Sequence, residues 1–320
     1  MPQSHSRFLR LLCTGLAVLL IFAGSSMAQR LVVPFTELSD ADLAQIDLHD
    51  GRIDDWLQVV GDPALKARDA YVGQHMWWQP HYDPSDLDFC IWLAWHDATN
   101  RLYVAIERLD DVYENDYVRG DPLQGDMQWH DSGTGFWVDG DLSGGELMPQ
   151  DTQGLPLSSW DVASLAIRSA QAYSAIAETH DGGPHVDSFF ALRDWLLRPP
   201  YCDGSGRPFS HAPVVTVLEF CVTPFDDLIM DDPESSVVSD LYPGKTIGFT
   251  VLVTDRENGE WTLHGFTEAI SEYQLELLPH GIMVGKTQSG SGLHQLSQAA
   301  WGSIKHTTPA DSTGVPVPGD

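Results

Sequence analysis

After residue 30 apolar and polar positions alternate with the period of a strand, and no later stretch holds a helical period for long. Asp88 to Trp95 alternates and is apolar, His96 to Asn100 reads as a turn, and Leu102 to Ile106 as the returning strand. Gly135-Phe136-Trp137-Val138 is a short apolar run bounded by glycine, as a buried strand is. Val214 to Val222 (VVTVLEFCV) forms another and is closed by Pro224. Ile247 to Thr254 turns at Asp255 to Gly259 into Trp261 to Phe266. Leu31 to Phe35, Ala172 to Ala177 and Tyr273 to Leu278 complete the predicted strands. Ser39 to Asp42 looks like a helix cap with a short turn behind it. Residues 62–85 read as irregular, 146–172 as loop with a short helix, and Phe189 to Leu197 as a short helix or the wall of a loop. Together these predict an all-β chain, a single β-sandwich with long loops and a few short helices.

Composition adds a compartment and excludes some partners. Arg7 and Arg10, then an apolar run from Leu11 to Gly24, then Ser26-Met27-Ala28, have the order of a secretion signal with cleavage after Ala28. The apolar run is short for a membrane span. The expectation is a secreted or periplasmic protein with no membrane anchor after cleavage. Residues 1–28 would be the signal, 29–284 one sandwich domain, and 285–320, rich in Ser, Gly, Pro and Thr, a flexible tail. The formal charge is −29, and loss of Arg7 and Arg10 with no acid takes it to −31. Such a charge argues against nucleic acid and anionic membranes and favours cations or neutral ligands such as sugars. Of four cysteines Cys13 leaves with the signal. Export permits one disulfide, and Cys202 with Cys221 is the preferred pair, while Cys90 sits in an apolar run and is expected to be buried. No CxxC, HExxH or CxxCH spacing is present.

Candidate chemistry concentrates between Asp126 and Gly145 (DMQWHDSGTGFWVDGDLSGG). A sugar presents C–H faces and hydroxyls, so its binder needs flat aromatics for stacking and carboxylates or amides for hydrogen bonds. Eleven tryptophans are available. Trp129, flanked by His130 and Asp131, is the first candidate platform; Trp78 is second, with Trp77 beside it. For a tryptophan in a loop, anchoring the loop and stacking a ligand are both open readings. Trp92, Trp95 and Trp137 lie in strands, where at least two should be core. Asp139, Asp141 and Ser143 place oxygen donors two residues apart around Gly140, which suits either a hard cation or a plain Asp-Gly turn. Asp110 and Asp111 form a similar acidic turn, as do Asp255, Glu257 and Asn258. No GxSxG or Ser-His-Asp pattern appears, and no carboxylate pair stands in a recognisable glycosidase motif. His75 with Met76, or Met127 with His130, have the side chains to ligate haem.

Six motifs in order resemble a known family: DGRIDDW (50–56), WLAWHDATNRLYVAIERLDD (92–111), WHDSGTGFWVDGD (129–141), VLEFCVTPFDDL (217–228), LYPGKTIGFTVLVTDRENG (241–259) and WGSIK (301–305). The chain is similar to family 9 carbohydrate-binding modules and their DOMON-like relatives, over about residues 45 to 280. The resemblance implies a jelly-roll-like antiparallel β-sandwich, non-catalytic and linked to polysaccharide catabolism, with glycan held against tryptophan faces in a cleft and calcium as structural support. Trp129, Asp131, Trp78, Trp77 and His130 would then line the ligand, and Asp139, Asp141, Asp110 and Asp111 would be the metal candidates. Two alternatives accompany it: a haem-binding DOMON-like electron carrier, and a module associated with a glycoside hydrolase. His130 stands where the family has a small residue, and Gly133-Thr134-Gly135 where it has a glutamate-bearing strand.

Overall fold

The computed structural model describes residues 31–74, 77–79, 82–115, 132–144, 168–177, 185–188, 195–211, 214–257, 260–266 and 278–286. The proposed signal, most of the proposed tail, and Trp129, His130 and Asp131 lie outside the described residues. So do His75, Met76 and Met127. The described strands are β1 (Val32–Glu37), β2 (Leu65–Lys66), β3 (Tyr71–Gln74), β4 (Trp77–Gln79), β5 (Leu87–His96), β6 (Arg101–Asp110), β7 (Thr134–Asp139) and β8 (Gln171–Ile176). They continue with β9 (His185–Ser188), β10 (Cys202–His211), β11 (Val214–Val222), β12 (Phe225–Asp227), β13 (Val237–Val238), β14 (Thr246–Glu257), β15 (Glu260–Gly265) and β16 (His280–Val284). Two short helices, α1 (Asp40–Leu43) and α2 (Asp54–Val59), precede β2.

All strands but β12 and β13 join one hydrogen-bonded sheet that folds over on itself. Its main path runs β10-β11-β6-β5-β1-β16-β14-β15-β3-β4, and β14 also carries β7, β8 and β9. The strands pair antiparallel with one exception. β1 lies parallel to both β5 and β16, at the seam where the sheet passes from one layer to the other. Alternation supplies the core. Ile91, Leu93, Val104, Ile106, Leu218 and Phe220 from one layer meet Phe136, Val138, Tyr173, Ala175, Phe249, Val251 and Val253 from the other. Phe136 meets Phe220 edge-on at 5.6 Å and Phe35 meets Phe249 at 5.1 Å, geometry that aromatic quadrupoles favour.

The opposite face of β5, β6 and β11 has its own cover. Trp56 of α2 packs with Leu38, Trp92, Ala94, Tyr103, Ala105 and Cys221. Glu219, fully buried, fixes that cover: its Oε1 accepts the Trp56 indole N–H at 2.9 Å and its Oε2 the Gly51 N–H at 3.1 Å. Gly51 takes φ +69°, and a Cβ there would stand 2.3 Å from Cβ of Arg207. The DGRIDDW and VLEFCV motifs are thus two halves of one buried contact.

Several expectations need correction. Residues 62–85 are not irregular throughout, since β2, β3 and β4 form there and pair with β5, β15 and each other. The last described strand is β16, and of the expected strand from Tyr273 to Leu278 all but Leu278 lies outside the described residues. β10 was not expected, because its run CDGSGRPFSH has the glycine and proline of a loop. Cys202 and Cys221 are free thiols. They lie on neighbouring strands, but Cys202 is opposite Val222 and faces the main core, whereas Cys221 faces the Trp56 cluster. Side chains on opposite faces of a sheet cannot form the bond.

Candidate functional site

Arg108 organises one end of the sandwich. Val104, Ile106 and Arg108 alternate onto the same inner face of β6, so the guanidinium enters the core's end and is 3 % exposed. Its Nε and Nη2 donate to Asp110 Oδ2 at 2.8 and 2.5 Å, and its Nη1 donates to the carbonyls of Ser132 and Thr254 at 3.0 and 2.7 Å. The Tyr113 ring lies 5.3 Å from its Cζ. Paired this way, a buried cation is tolerated where an isolated one would not be. Asp255 Oδ1 approaches Nη2 only to 3.7 Å and has no hydrogen bond. Burial, against the pull of Arg108, pushes the Asp255 carboxyl up to about 7. Nearby His264, packed against Phe89, is pushed down to about 3 by burial, with Arg108 adding to the effect.

This hub fixes both ends of the segment that carries the Trp129 motif. Ser132 N–H donates to Glu114 carbonyl at 2.9 Å and Glu114 N–H to Ser132 Oγ at 3.2 Å. Tyr113 hydroxyl and Asn115 amide both donate to the Ala177 carbonyl, at 2.7 and 2.8 Å. Thr254 N–H donates to Gly133 carbonyl at 2.9 Å. Trp129, His130 and Asp131 therefore belong to a segment rooted at the ends of β6, β8 and β14.

Trp77 and Trp78 lie on β4. Trp78 is in register with Gly73 of β3, Gly73 with Leu263 of β15, and Leu263 with Thr254 of β14, next to Gly133. Trp78 and Gly133 thus occupy one row across the sheet, four strand steps apart, or roughly 19 Å at ~4.8 Å per step. Trp129 precedes Gly133 by four residues, which span about 13 Å of extended chain. The register places Trp78 and Gly133 on one row of the sheet although they lie far apart in sequence.

Among the described residues Trp92, Trp95, Trp137 and Trp195 are packed into the structure. Trp95 is in the main core, Trp92 packs under Trp56, and Trp137 forms a small cluster with Ala172 and Leu252 on the opposite face of β7, β8 and β14. On that face Thr250 Oγ1 and Ser174 Oγ are buried without a hydrogen-bond partner. Trp195 anchors Tyr201 and Phe225 and donates to the Met230 carbonyl at 2.9 Å.

The proposed metal ligands divide. Asp139 accepts Ser143 N–H at 3.3 Å on one oxygen and Gly144 N–H at 3.0 Å on the other, and Asp141 accepts Ser143 N–H at 2.9 Å. These bonds close a turn in which Leu142 and Gly144 have φ 57° and 65°. Burial first, then Asp141, pushes Asp139 up to about 6. Asp110 has one oxygen taken by Arg108 and the other by Val112 N–H at 3.1 Å. Among the described residues two groups of three acids bring one oxygen each within 4.8 Å: Asp86, Asp111 and Glu257, and Asp50, Asp55 and Glu219. Asp111 is the one proposed ligand found in either.

Comparison with known proteins gives a limited result. No family model matches the sequence. No curated protein matches either. Among solved structures the chain is similar to a family 9 carbohydrate-binding module from Caldicellulosiruptor kristjanssonii. With the glucose complex the TM-score is 0.46 and the identity 12 %, over 79 % of this chain and 96 % of that one. With the cellotriose complex they are again 0.46 and 12 %, over 81 % and 96 %. Likeness at this level carries no argument about a ligand, so function must rest on this chain's own residues.

Arg108, Asp86 and His264 escaped the sequence reading. A signal for Arg108 was present: an arginine and an aspartate two apart, continuing an apolar alternation, share the inward face of a strand. Asp86 and His264 had none, because their neighbours come from distant strands.

Proposed function

We propose that this chain is an exported, non-catalytic carbohydrate-binding protein. In this reading it stacks a neutral glycan against Trp129 and Trp78, with Asp131, His130 and Trp77 contacting hydroxyls and ring faces. The observation that supports it best is the shared row of Trp78 and Gly133, which roots the two aromatic stretches on one sheet. The excess of 46 acidic over 17 basic residues disfavours uronic-acid polymers and is neutral towards uncharged sugars. The N-terminal leader pattern supports export, and no described helix is long and apolar enough to cross a membrane. Titration of the purified chain with a panel of neutral oligosaccharides, followed by tryptophan fluorescence, tests the reading. A saturable change with at least one glycan is expected, and none across plant, algal and microbial glycans would refute it.

A further inference from the structure

Every N–H of the Arg108 guanidinium is committed except the second of Nη2. Nε and Nη2 serve Asp110 Oδ2, and Nη1 serves the carbonyls of Thr254 at 2.7 Å and Ser132 at 3.0 Å. The Ser132 bond is the longest of the set. Asp255 Oδ1 lies 3.7 Å from Nη2 and is buried with no hydrogen-bond partner. Closing that gap to an ordinary hydrogen bond takes a movement of about 0.8 Å. Thr254 and Asp255 are consecutive on β14, whereas Ser132 stands before β7. A guanidinium drawn towards Asp255 therefore keeps Thr254 in reach and strains the Ser132 bond first.

The surroundings of Asp255 decide when it draws. It is 5 % exposed and stands opposite Thr262 of β15, whose Oγ1 is 3.3 Å from His264 Nε2. The charged groups that act on it are Arg108 and Asp110 of β6, Asp86 ahead of β5, and Glu257 on its own strand. His264 of β15 is kept neutral by burial, with Arg108 adding to the effect. Arg108 is the one cation in this set. Burial outweighs its pull, and the acids add to burial, so the Asp255 carboxyl is pushed up to about 7. Protonated, Asp255 asks nothing of Arg108. Ionised, buried and without a donor, it is costly until Nη2 closes on it.

We propose that Arg108 is a two-position clasp governed by Asp255: it holds the Ser132 carbonyl while Asp255 is protonated, and closes on Asp255 and releases Ser132 when Asp255 ionises. Ser132 and Glu114 bond to each other at the two roots of the segment that bears Trp129, so the root loosens as the medium turns alkaline. The folded carboxyl titrates above its ordinary 3.8, so its contribution to the closed root is complete below about pH 3.8 and is lost as pH rises through about 7. The clasp does not rest on the carbohydrate reading, because the root is held whether or not a glycan binds.

Amide hydrogen exchange by NMR on the full chain, from about pH 6 to about pH 8.5, tests the clasp. Rates are read as protection factors, which cancel the base catalysis of exchange itself. Protection at Ser132 and Glu114 should fall about fivefold relative to Val104, a core amide that reports global opening; that is the size of one hydrogen bond's net contribution. Asp255→Asn, which keeps the shape and cannot ionise, should hold both amides at their acid-side protection throughout. In wild type the Asp255 carboxyl carbon shift should titrate with the same midpoint, a check that needs no variant. Root amides that track Val104 at every pH would overturn the clasp. So would a fall that persists in Asp255→Asn, or an Asp255 carboxyl that titrates without any change at the root.

Discussion

Glu219 shows how one buried side chain ties two distant motifs together. It accepts from Gly51 and Trp56 and lies among apolar neighbours, and burial pushes its carboxyl from 4.5 up to about 8, Asp55 and Asp50 adding to the shift. With the folded pKa above the unfolded one, the folded state keeps its proton further up the pH scale. The associated stability is complete below about pH 4.5 and is lost as pH rises towards 8. Chemical denaturation across pH 5 to 8 should show stability falling with pH in wild type and a flatter profile in Glu219→Gln. Identical slopes would remove Glu219 as the source. Gly51→Ala is expected to cost on the order of 1–3 kcal/mol, because it combines a positive φ with a clash against Arg207. A melt unchanged from wild type would contradict that geometry.

Among the elements, legibility in the sequence tracked side-chain chemistry. β5, β6, β11 and β14 carry long alternating or apolar runs and were readable. β10 was not, because its glycines serve contact rather than pattern. A Cβ at Gly204 would stand 2.3 Å from the Glu219 carbonyl, and one at Gly206 would stand 2.6 Å from Cα of Ala177. Close approach of backbones demands residues that look like a loop when read alone. The parallel pairing of β1 was equally hidden, since alternation does not encode strand direction. The Trp129 motif and the β4 tryptophans stood out from composition, whereas the common row of Trp78 and Gly133 depends on register across four strand pairings. The acidic turn at Asp110 was misleading in part. Asp110 answers to Arg108, and Asp111 alone turns to the neighbouring strand ends. Arg108→Met should destabilise the fold by about 3–5 kcal/mol by leaving Asp110 buried without its partner. Urea denaturation measures this, and a loss below about 1 kcal/mol would mean the hub is not holding the strand ends together.

At the scale of the whole molecule, one sheet folds into two layers and roots its aromatic-bearing segments at the same end. The main core is apolar and continuous, and polar groups gather where β6, β14 and the roots of the Trp129 segment meet. Removing a ring from the site should therefore abolish binding without melting the fold, whereas removing Trp95 or Trp56, both fully buried, should melt it. The most direct measurement is calorimetric titration of one neutral oligosaccharide into wild type, Trp129→Ala and Trp78→Ala, with melting temperatures recorded in parallel. The account predicts binding by wild type, a loss of tenfold or more in each variant, and melting within a few degrees of wild type. Equal affinity in all three proteins would contradict it.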